Sequence, residues 1–531
     1  MMVRSAIAGL GAIMLAVGAP AMPPSSPAQA IATDAPASAI TADGWTIYGG
    51  ERRLMIDPRV PGQGAVRVAA RPERGEPWAS GAVAALPSTY RPGARVEAVF
   101  WARAEQPVTV PVTLQANAAP YARFAERAIA LTRQWQRVTI AGNMPTDPAA
   151  GAQIVSVQLG QAGTAVLLGP VLFFRDRPAA KSIDRAVAAF HPDRVAQDVR
   201  IRSDAGVVLA GTLRLPLGRG RGPFPTVVVI AGSGANGRGG FDLLMSRLLA
   251  DGIATLEYDK RGVGQSTGTL IDTVPLMARD TAAAVAFLRQ RRDVDAKRVA
   301  LVGHSQGGAV ASAVAAADPH LRGIVMLAGP TVPGDEMVLA QYGEQVRAAG
   351  VDATAVARQQ AAIRRLIEAH AAHADAATMA SLRQRLSDDL VATKLAPPDS
   401  AETAVATLDS DVALAVWNYR FDRVLGSVRV PVLAMFGTLD VLVPAALHAP
   451  AARAALAGNP AAEVVVYPGL NHAFQHATTS SLANIAALGP PNSAPEMIGR
   501  VGDWLDRQFG LAPDTDRRPR FVPLSPGRGR P

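Results

Sequence analysis

Apolar and polar residues follow two different rhythms along the chain, and the change between them separates two predicted domains. Between residues 41 and 177, short alternating runs are separated by Gly, Pro and Asn, without a long stretch of helical periodicity. Such alternation is typical of antiparallel strands that each bury one face. We therefore predict a β-sandwich over 41–177, a linker at 178–197 and a second domain over 198–511.

The strands of the predicted sandwich are indicated by alternating runs at 65–69, 95–102, 108–114, 136–141, 153–159 and 164–174. Two segments, at 131–138 and 168–173, resemble jelly-roll carbohydrate-binding modules of the galactose-binding-like type. The resemblance implies a carbohydrate contact by the N-terminal domain, although a purely structural sandwich also fits. Aromatic rings that could stack on a sugar are Trp45, Trp78, Tyr90 and Tyr121, whereas Trp101 and Trp135 lie in strand patterns and are predicted to be core residues.

The second domain has continuous apolar runs instead of alternating ones, for example at 225–230, 298–303 and 430–437. Runs of this kind are typical of strands buried on both faces of a parallel sheet. We predict an α/β domain with a mostly parallel sheet and helices on both faces. The βα alternation stops between 331 and 429, where 3.6-residue spacing predicts helices at 336–349, 353–373 and 377–391.

The run at 298–303 leads into Gly-His-Ser-Gln-Gly at 303–307 and then into an Ala/Val-rich stretch. A Gly-x-Ser-x-Gly between a buried strand and a helix makes a sharp turn that exposes the serine, and any Cβ at its glycines would collide with neighbouring atoms. Ser305 is therefore the predicted nucleophile. A second match at 264–268 follows a charged segment instead of a buried strand, so Ser266 is the weaker candidate.

Two further polar residues follow predicted strands later in the chain: Asp440 after the run at 430–437, and His472 shortly after the run at 464–467. Because the carboxyl ends of parallel strands meet at one edge of a sheet, we expect both side chains near Ser305. A serine hydroxyl needs an imidazole to take its proton, and the imidazole needs a carboxylate to orient it. We therefore predict Ser305 as the nucleophile, His472 as general base and acid, and Asp440 as the carboxylate that orients His472.

The oxyanion that such a nucleophile creates needs backbone N–H donors. We predict one at Gln306, the residue after the nucleophile. The other is predicted at Ser233, in the small-residue loop after the strand at 225–230, with Gly234 as the alternative donor and as a substrate contact.

The same loop also supports a rival interpretation. Residues 232–237 read Gly-x-Gly-x-x-Gly after a strand, and Glu257 lies 20 residues beyond the last of these glycines, which matches a dinucleotide-binding fingerprint. A nucleotide-binding enzyme would leave Ser305, Asp440 and His472 as unrelated residues, so we favour the hydrolase and predict neither an organic cofactor nor a metal.

Residues 200–510 resemble the bacterial α/β-hydrolase group that includes secreted carboxylesterases and serine-aminopeptidase-like hydrolases. The matching segments are 231–234, 258–266, 303–308, 327–330, 437–440 and 469–474. The resemblance implies an α/β-hydrolase fold and cleavage of a small-molecule ester through an acyl-enzyme, without fixing the substrate. Ala231 departs from the pattern of this group, because many members carry His at that position. In this group an insertion after the strand at 324–327 forms a lid, which places a helical lid at about 331–429. Three aromatic residues near its end are candidates for the substrate pocket, with packing as the alternative role: Trp417, Tyr419 and Phe421.

Two alternative activities remain open on the same fold. One is an exopeptidase or amidase. If it were an aminopeptidase, a carboxylate in the lid would have to hold the substrate ammonium; Glu344 or Glu368 could serve, but nothing selects them. A carbohydrate-associated acetyl or feruloyl esterase would use the sandwich domain for binding.

The ends of the chain and its charge limit the setting in which it acts. Residues 1–30 combine a basic start, an apolar stretch and an Ala-Gln-Ala site, which predicts a secretory signal and a periplasmic or secreted enzyme, a retained anchor being the alternative. The chain has no cysteine, and its net charge of +9 comes mostly from scattered arginines without a nucleic-acid motif. We expect no nucleic-acid partner, no integral membrane segment after signal cleavage, and a disordered basic Pro/Gly-rich tail at 512–531.

Overall fold

The computed structural model describes residues 38–70, 75–87, 90–146, 152–175, 178–190, 192, 194–204, 206–218, 222–480, 485, 488 and 493–511. The predicted signal at 1–30 and the predicted tail at 512–531 lie outside these residues. Within the part of the chain that is described, no helix is both long and apolar enough to cross a membrane.

The N-terminal region consists of two antiparallel sheets. Its strands are β1 Ser38–Ile40, β2 Thr46–Tyr48, β3 Gly50–Ile56, β4 Gly64–Ala70, β5 Gly81–Ala85, β6 Arg95–Ala104, β7 Val108–Ala116, β8 Arg123–Leu131, β9 Gln136–Asn143, β10 Gln153–Gln158 and β11 Val166–Arg175. One sheet has the order β3-β4-β11-β6-β9 with β1 also on β11, and the other has the order β2-β5-β10-β7-β8. Phe100 of the first sheet and Leu114 of the second belong to one buried core. The predicted antiparallel sandwich is confirmed.

The aromatic residues of the sandwich divide differently from the prediction. Trp45 and Tyr90 are buried and donate hydrogen bonds to backbone carbonyls, so neither ring can stack on a sugar. Trp78 and Tyr121 are each 56% exposed. A carbohydrate contact by this domain stays a prediction, now carried by Trp78 and Tyr121 alone.

The segment predicted as a linker has secondary structure of its own. It contains helix α1, Ala180–Ala188, and the start of strand β12, Arg194–Arg202. The Asp198 carboxylate of β12 accepts a hydrogen bond from the Leu54 backbone N–H of the sandwich at 2.7 Å. The connection between the domains is therefore made of packed secondary structure.

The second domain is built on an eight-stranded sheet with the order β12-β13-β15-β14-β16-β17-β18-β19. The remaining strands are β13 Val208–Pro216, β14 Phe224–Ile230, β15 Ala254–Tyr258, β16 Val294–His304, β17 Ile324–Leu327, β18 Val432–Gly437 and β19 Ala462–Tyr467. Strands β12 and β13 pair antiparallel, and the pairs from β15 to β19 are parallel. Every residue of β14 and β18 is buried, as expected for strands covered on both faces.

Helices follow most of the parallel strands. Outside the insertion they are α2 Asp242–Ala250, α3 Val274–Arg289, α4 Gln306–Ala317, α11 Ala445–Ala455 and α12 Pro495–Phe509. Between β17 and β18 they are α5 Gly334–Ala348, α6 Ala353–Ala371, α7 Ala376–Ala392, α8 Pro398–Ala406, α9 Asp411–Trp417 and α10 Phe421–Gly426. The predicted α/β fold is confirmed, and the three long helices predicted in the insertion occur within two residues of the predicted bounds.

Candidate active site

Ser305 lies at the turn between β16 and α4 in a strained backbone conformation, with φ 55° and ψ −123°. Its N–H donates to the Leu327 carbonyl at 2.8 Å, which ties the turn to the next strand. A Cβ at Gly303 would lie 2.0 Å from the Gly307 carbonyl oxygen, and one at Gly307 would lie 2.3 Å from the Ile230 oxygen. Only glycine fits at both positions, so the glycines permit the turn that exposes Ser305.

Asp440 and His472, from loops after β18 and β19, meet at the same edge of the sheet. His472 Nδ1 lies 2.8 Å from Asp440 Oδ2, and both side chains are buried. The other carboxylate oxygen accepts the N–H groups of Leu442 and Val443 at 2.8 and 2.9 Å. Burial acts to raise the pKa of Asp440, but His472 and these two donors hold that pKa below its usual value. An ionised Asp440 makes Nδ1 the donor, so His472 Nε2 carries the lone pair.

His304, beside the nucleophile, packs against His472. Its Nε2 lies 2.8 Å from the His472 carbonyl oxygen, and the two ring centroids are 4.7 Å apart. Burial, reinforced by the neighbouring His472, lowers the pKa of His304 to about 4. His304 is therefore neutral at physiological pH and donates to the backbone of the His472 loop.

A cavity of about 400 Å³ joins the predicted residues. Ser305, His472, Gln306 and Ser233 all line it, and Asp440 lies behind His472. Apolar side chains form much of the remaining wall: Phe241, Met337, Val416, Phe421, Leu442 and Val443. Because Met337, Val416 and Phe421 come from the insertion, the insertion covers the site as a lid.

A polar network that the sequence did not reveal connects the loop of Ser233 with the side chain of Gln306. The carboxylate of Asp272 accepts the Gly234 N–H at 2.5 Å and the Lys260 ammonium at 2.8 Å. Lys260 also donates to Gln306 Oε1 at 3.1 Å, and Gln306 Nε2 donates to the Asp272 carbonyl at 3.1 Å. We call these four residues the Asp272 network. It leaves the Ser233 N–H without an acceptor among the described residues, whereas the Gly234 N–H is already used.

Lys260 is almost completely buried, so its pairing matters for stability as well as for geometry. Burial lowers the pKa of Lys260, and the Asp272 carboxylate partly offsets this effect. Lys260 lies within the segment 258–266 that carried the family resemblance, but no sequence signal assigned it a role. Asp272 lies in a loop without periodicity and could not be singled out.

Among the predicted substrate contacts, Phe421 lines this cavity, whereas Trp417, Tyr419 and Gly234 do not. Trp417 is buried beneath the Arg364 guanidinium, whose Cζ lies 5.3 Å from the ring centroid, and its neighbour Val416 lines the cavity instead. Gly234 is not among the lining residues, and its N–H donates to Asp272.

The residues behind the other interpretations have structural partners. Glu257 accepts from Arg214 at 2.7 Å and from the Gly239 N–H at 3.1 Å, so it is not free to bind a ribose. The Ser266 hydroxyl donates to the Asp259 carbonyl at 2.7 Å and closes a turn.

The second domain is similar to known proteins. Residues 223–478 match the family described as serine aminopeptidase, S33. This region is an α/β-hydrolase domain of the S33-like group. The matched region contains the turn of Ser305, the loops that carry Asp440 and His472, and the whole lid.

Curated relatives match parts of the chain. The esterase EstD of Thermotoga maritima is 33% identical over 138 residues, which cover 24% of this chain and 32% of EstD. The thiohydrolase apmlB of Arthrinium phaeospermum is 38% identical over 86 residues, covering 16% and 28% of the two chains. The chain thus spans about a third or less of the length of these relatives.

Solved structures are similar over more of the chain. The Pyrococcus furiosus esterase Pf2001 has a TM-score of 0.38 at 18% identity and covers 59% of this chain and 93% of its own. Acetyl xylan esterase 1 from a Thermoanaerobacterium species has a TM-score of 0.34 at 17% identity, with 56% and 84% covered.

Proposed function

We propose that the protein is a serine hydrolase that cleaves carboxylic esters through an acyl-enzyme intermediate. The observation that carries the proposal is the 2.8 Å hydrogen bond between His472 and Asp440 beside a cavity that Ser305 lines. This hydrogen bond fixes the imidazole tautomer in which Nε2 can take a proton from a hydroxyl.

The proposed reaction has two halves. Ser305 Oγ attacks the ester carbonyl while His472 takes its proton, and the backbone N–H groups of Ser233 and Gln306 stabilise the oxyanion. His472 then gives the proton to the leaving alcohol, which leaves the acyl group on Ser305. A water molecule, deprotonated by His472, attacks the acyl-enzyme and releases the acid.

The wall of the cavity favours an ester over a peptide substrate. An aminopeptidase must bind the terminal ammonium group of its substrate, and burying that charge without a carboxylate is costly. Among the described residues, the lining of the cavity includes no Asp, Glu, Lys or Arg. Glu344 pairs with Arg347 and Glu368 with Arg364, both at the surface, and neither lines the cavity. We therefore propose uncharged esters with an apolar acyl or alcohol group.

The test compares the two serines that share the Gly-x-Ser-x-Gly pattern. Ser305→Ala is expected to lower kcat for p-nitrophenyl butyrate by about 10⁴-fold or more, because the nucleophile is lost. A fluorophosphonate probe is expected to label the wild type and not this variant. Ser266→Ala is the matched control and is expected to keep both turnover and labelling.

Two results would contradict the proposal. Unchanged esterase activity in Ser305→Ala would remove the nucleophile from the mechanism. Faster turnover of leucine p-nitroanilide than of p-nitrophenyl esters by the wild type would instead assign the site to an exopeptidase. Because residues 1–30 resemble a secretory signal, we also propose that the enzyme acts after export, which cell fractionation of the full-length chain tests.

A further inference from the structure

A second cavity, of about 820 Å³, lies between the sandwich and the α/β-hydrolase domain. It shares no lining residue with the cavity around Ser305. Six arginines line it, against two acidic residues, Glu51 and Asp198, so its wall is strongly positive. The arginines are Arg52, Arg53, Arg67, Arg200, Arg238 and Arg291.

Half of these arginines already have carboxylate partners. Arg67 pairs with Glu105 at 2.6 Å, and Arg291 pairs with Asp293 at the same distance. Arg238 binds Asp259 at 3.0 Å and Asp198 at 3.1 Å. These three side chains build the wall of the cavity, and their charges are largely compensated.

The other three arginines have no carboxylate within salt-bridge distance among the described residues. Arg52 and Arg53 belong to the sandwich, and Arg200 belongs to β12 on the opposite side. Within the described part of the chain, Arg200 donates only to the Gln265 carbonyl, at 2.8 Å. Arg52 Nε is shielded from solvent and has no hydrogen-bond partner in that part of the chain.

The surroundings of Arg52 make this arrangement costly without a ligand. Burial lowers the pKa of Arg52, and although Asp198 counters this effect, the nearby Arg238 adds to it. Asp198 is already shared by Arg238, the Thr212 hydroxyl and the Leu54 N–H. A buried donor left unpaired costs free energy that a bound acceptor would recover.

We propose that this cavity binds a small organic polyanion with two or more phosphate, sulfate or carboxylate groups. Guanidinium groups bind such oxyanions through paired N–H donors, and three of them lack a partner here. The volume lies within the range of small-molecule sites and far exceeds the roughly 30 Å³ of one water, so it suits a multivalent ligand better than a single ion. Bound there, the ligand would bridge Arg52 and Arg53 of one domain and Arg200 of the other.

The test measures binding to the full-length protein by calorimetry at low salt. The probes are sodium tripolyphosphate, sucrose octasulfate and citrate, which separate phosphate, sulfate and carboxylate chemistry, with sucrose as the neutral control. At least one polyanion is expected to bind at micromolar to submillimolar concentration and to raise the melting temperature, because it binds the folded state alone.

Paired variants separate this site from general attraction to a basic protein. The double variant Arg52→Gln/Arg200→Gln is expected to weaken binding at least 10-fold while keeping its fold and its esterase activity. Arg453→Gln changes the net charge at an exposed position of α11, outside the cavity, and is expected to leave affinity unchanged. The proposal is overturned if none of the polyanions binds more tightly than sucrose, or if the double variant binds as well as Arg453→Gln.

Discussion

The carboxylate of Asp272 is connected to both sides of the proposed oxyanion site. It fixes the loop of Ser233 through the Gly234 N–H, and through Lys260 it reaches the side chain of Gln306. An oxyanion hole stabilises charge only if its donors are held in place before the reaction. The Asp272 network is therefore a set of positioning residues for the proposed reaction.

We expect Asp272→Asn to lower kcat for p-nitrophenyl butyrate by about 10-fold to 100-fold, with KM changed less than about 3-fold. Removing an oxyanion donor outright costs about 10²-fold to 10³-fold in kcat, and a misplaced donor should cost less. Steady-state kinetics on the folded variant measure kcat and KM separately and so show which of the two changes.

Asp204→Asn is the matched control for this prediction. Asp204 pairs with Arg261 at 3.0 Å, outside the cavity, so its loss removes an ion pair without disturbing the oxyanion loop. A similar fall of kcat in both variants would assign Asp272 a merely structural role.

The helical lid limits the space that a substrate can occupy in the cavity. Val416 at the end of α9 and Met337 in α5 line the same cavity as Ser305. A cavity of about 400 Å³ with apolar walls can hold an acyl chain longer than acetyl. Chain-length preference should therefore respond to the size of these side chains.

We expect Val416→Trp to lower kcat/KM for p-nitrophenyl octanoate relative to p-nitrophenyl acetate by about 10-fold or more. The larger side chain would fill space that only the long chain uses, and a few methylenes in an apolar pocket discriminate at this level. The ratio of the two kcat/KM values is the measurement. Trp417→Phe changes the adjacent residue, which does not line the cavity, and should leave the ratio unchanged; an equal fall for both esters in Val416→Trp would refute the prediction.

Elements with strong periodicity were predictable, and exposed or irregular ones were not. The lid helices α5, α6 and α7 and the buried strands β14, β16 and β18 followed from their apolar spacing. Strand β5 is mostly buried but was not predicted, because its residues are mostly small and give little apolar alternation. Strand β8 was missed because most of its residues are at least partly exposed, with only Ile129 and Leu131 buried, which weakens the alternation. Helix α1 was missed because it lies in a short charged segment between two domains.

The candidate site divides in the same way. Ser305, Asp440 and His472 each follow a recognisable strand, so their meeting at one edge could be inferred from chain order. The Asp272 network joins residues that lie 12, 34, 38 and 46 positions apart, and no periodicity links such residues before the chain folds. The position of Trp417 outside the cavity lining could not be inferred, because the sequence does not show which way the end of a helix faces.

Two buried histidines make the free energy of unfolding of the protein depend on pH. Burial lowers the pKa of both His304 and His448 to about 4 from an ordinary 6.5. His448 is fully buried in α11, where its Nδ1 accepts the Thr331 N–H at 3.1 Å and so ties the helix to the base of the lid. Between pH 6.5 and 4 the unfolded chain binds a proton at each site and the folded chain does not, so this stability is complete above pH 6.5 and declines toward pH 4.

We expect the free energy of unfolding to fall by about 2 kcal/mol per histidine between pH 7.5 and pH 5, a linkage estimate from the ordinary and lowered pKa values. His448→Asn keeps an acceptor for the Thr331 N–H but cannot be protonated. It should therefore reduce stability at pH 7.5, where the smaller side chain packs less well, and also remove about half of the histidine contribution to the pH dependence.

Urea unfolding at the two pH values measures both effects, with His320→Asn at an exposed position as the control. If His448→Asn and the wild type lose the same free energy between pH 7.5 and pH 5, His448 does not stay neutral in the folded protein.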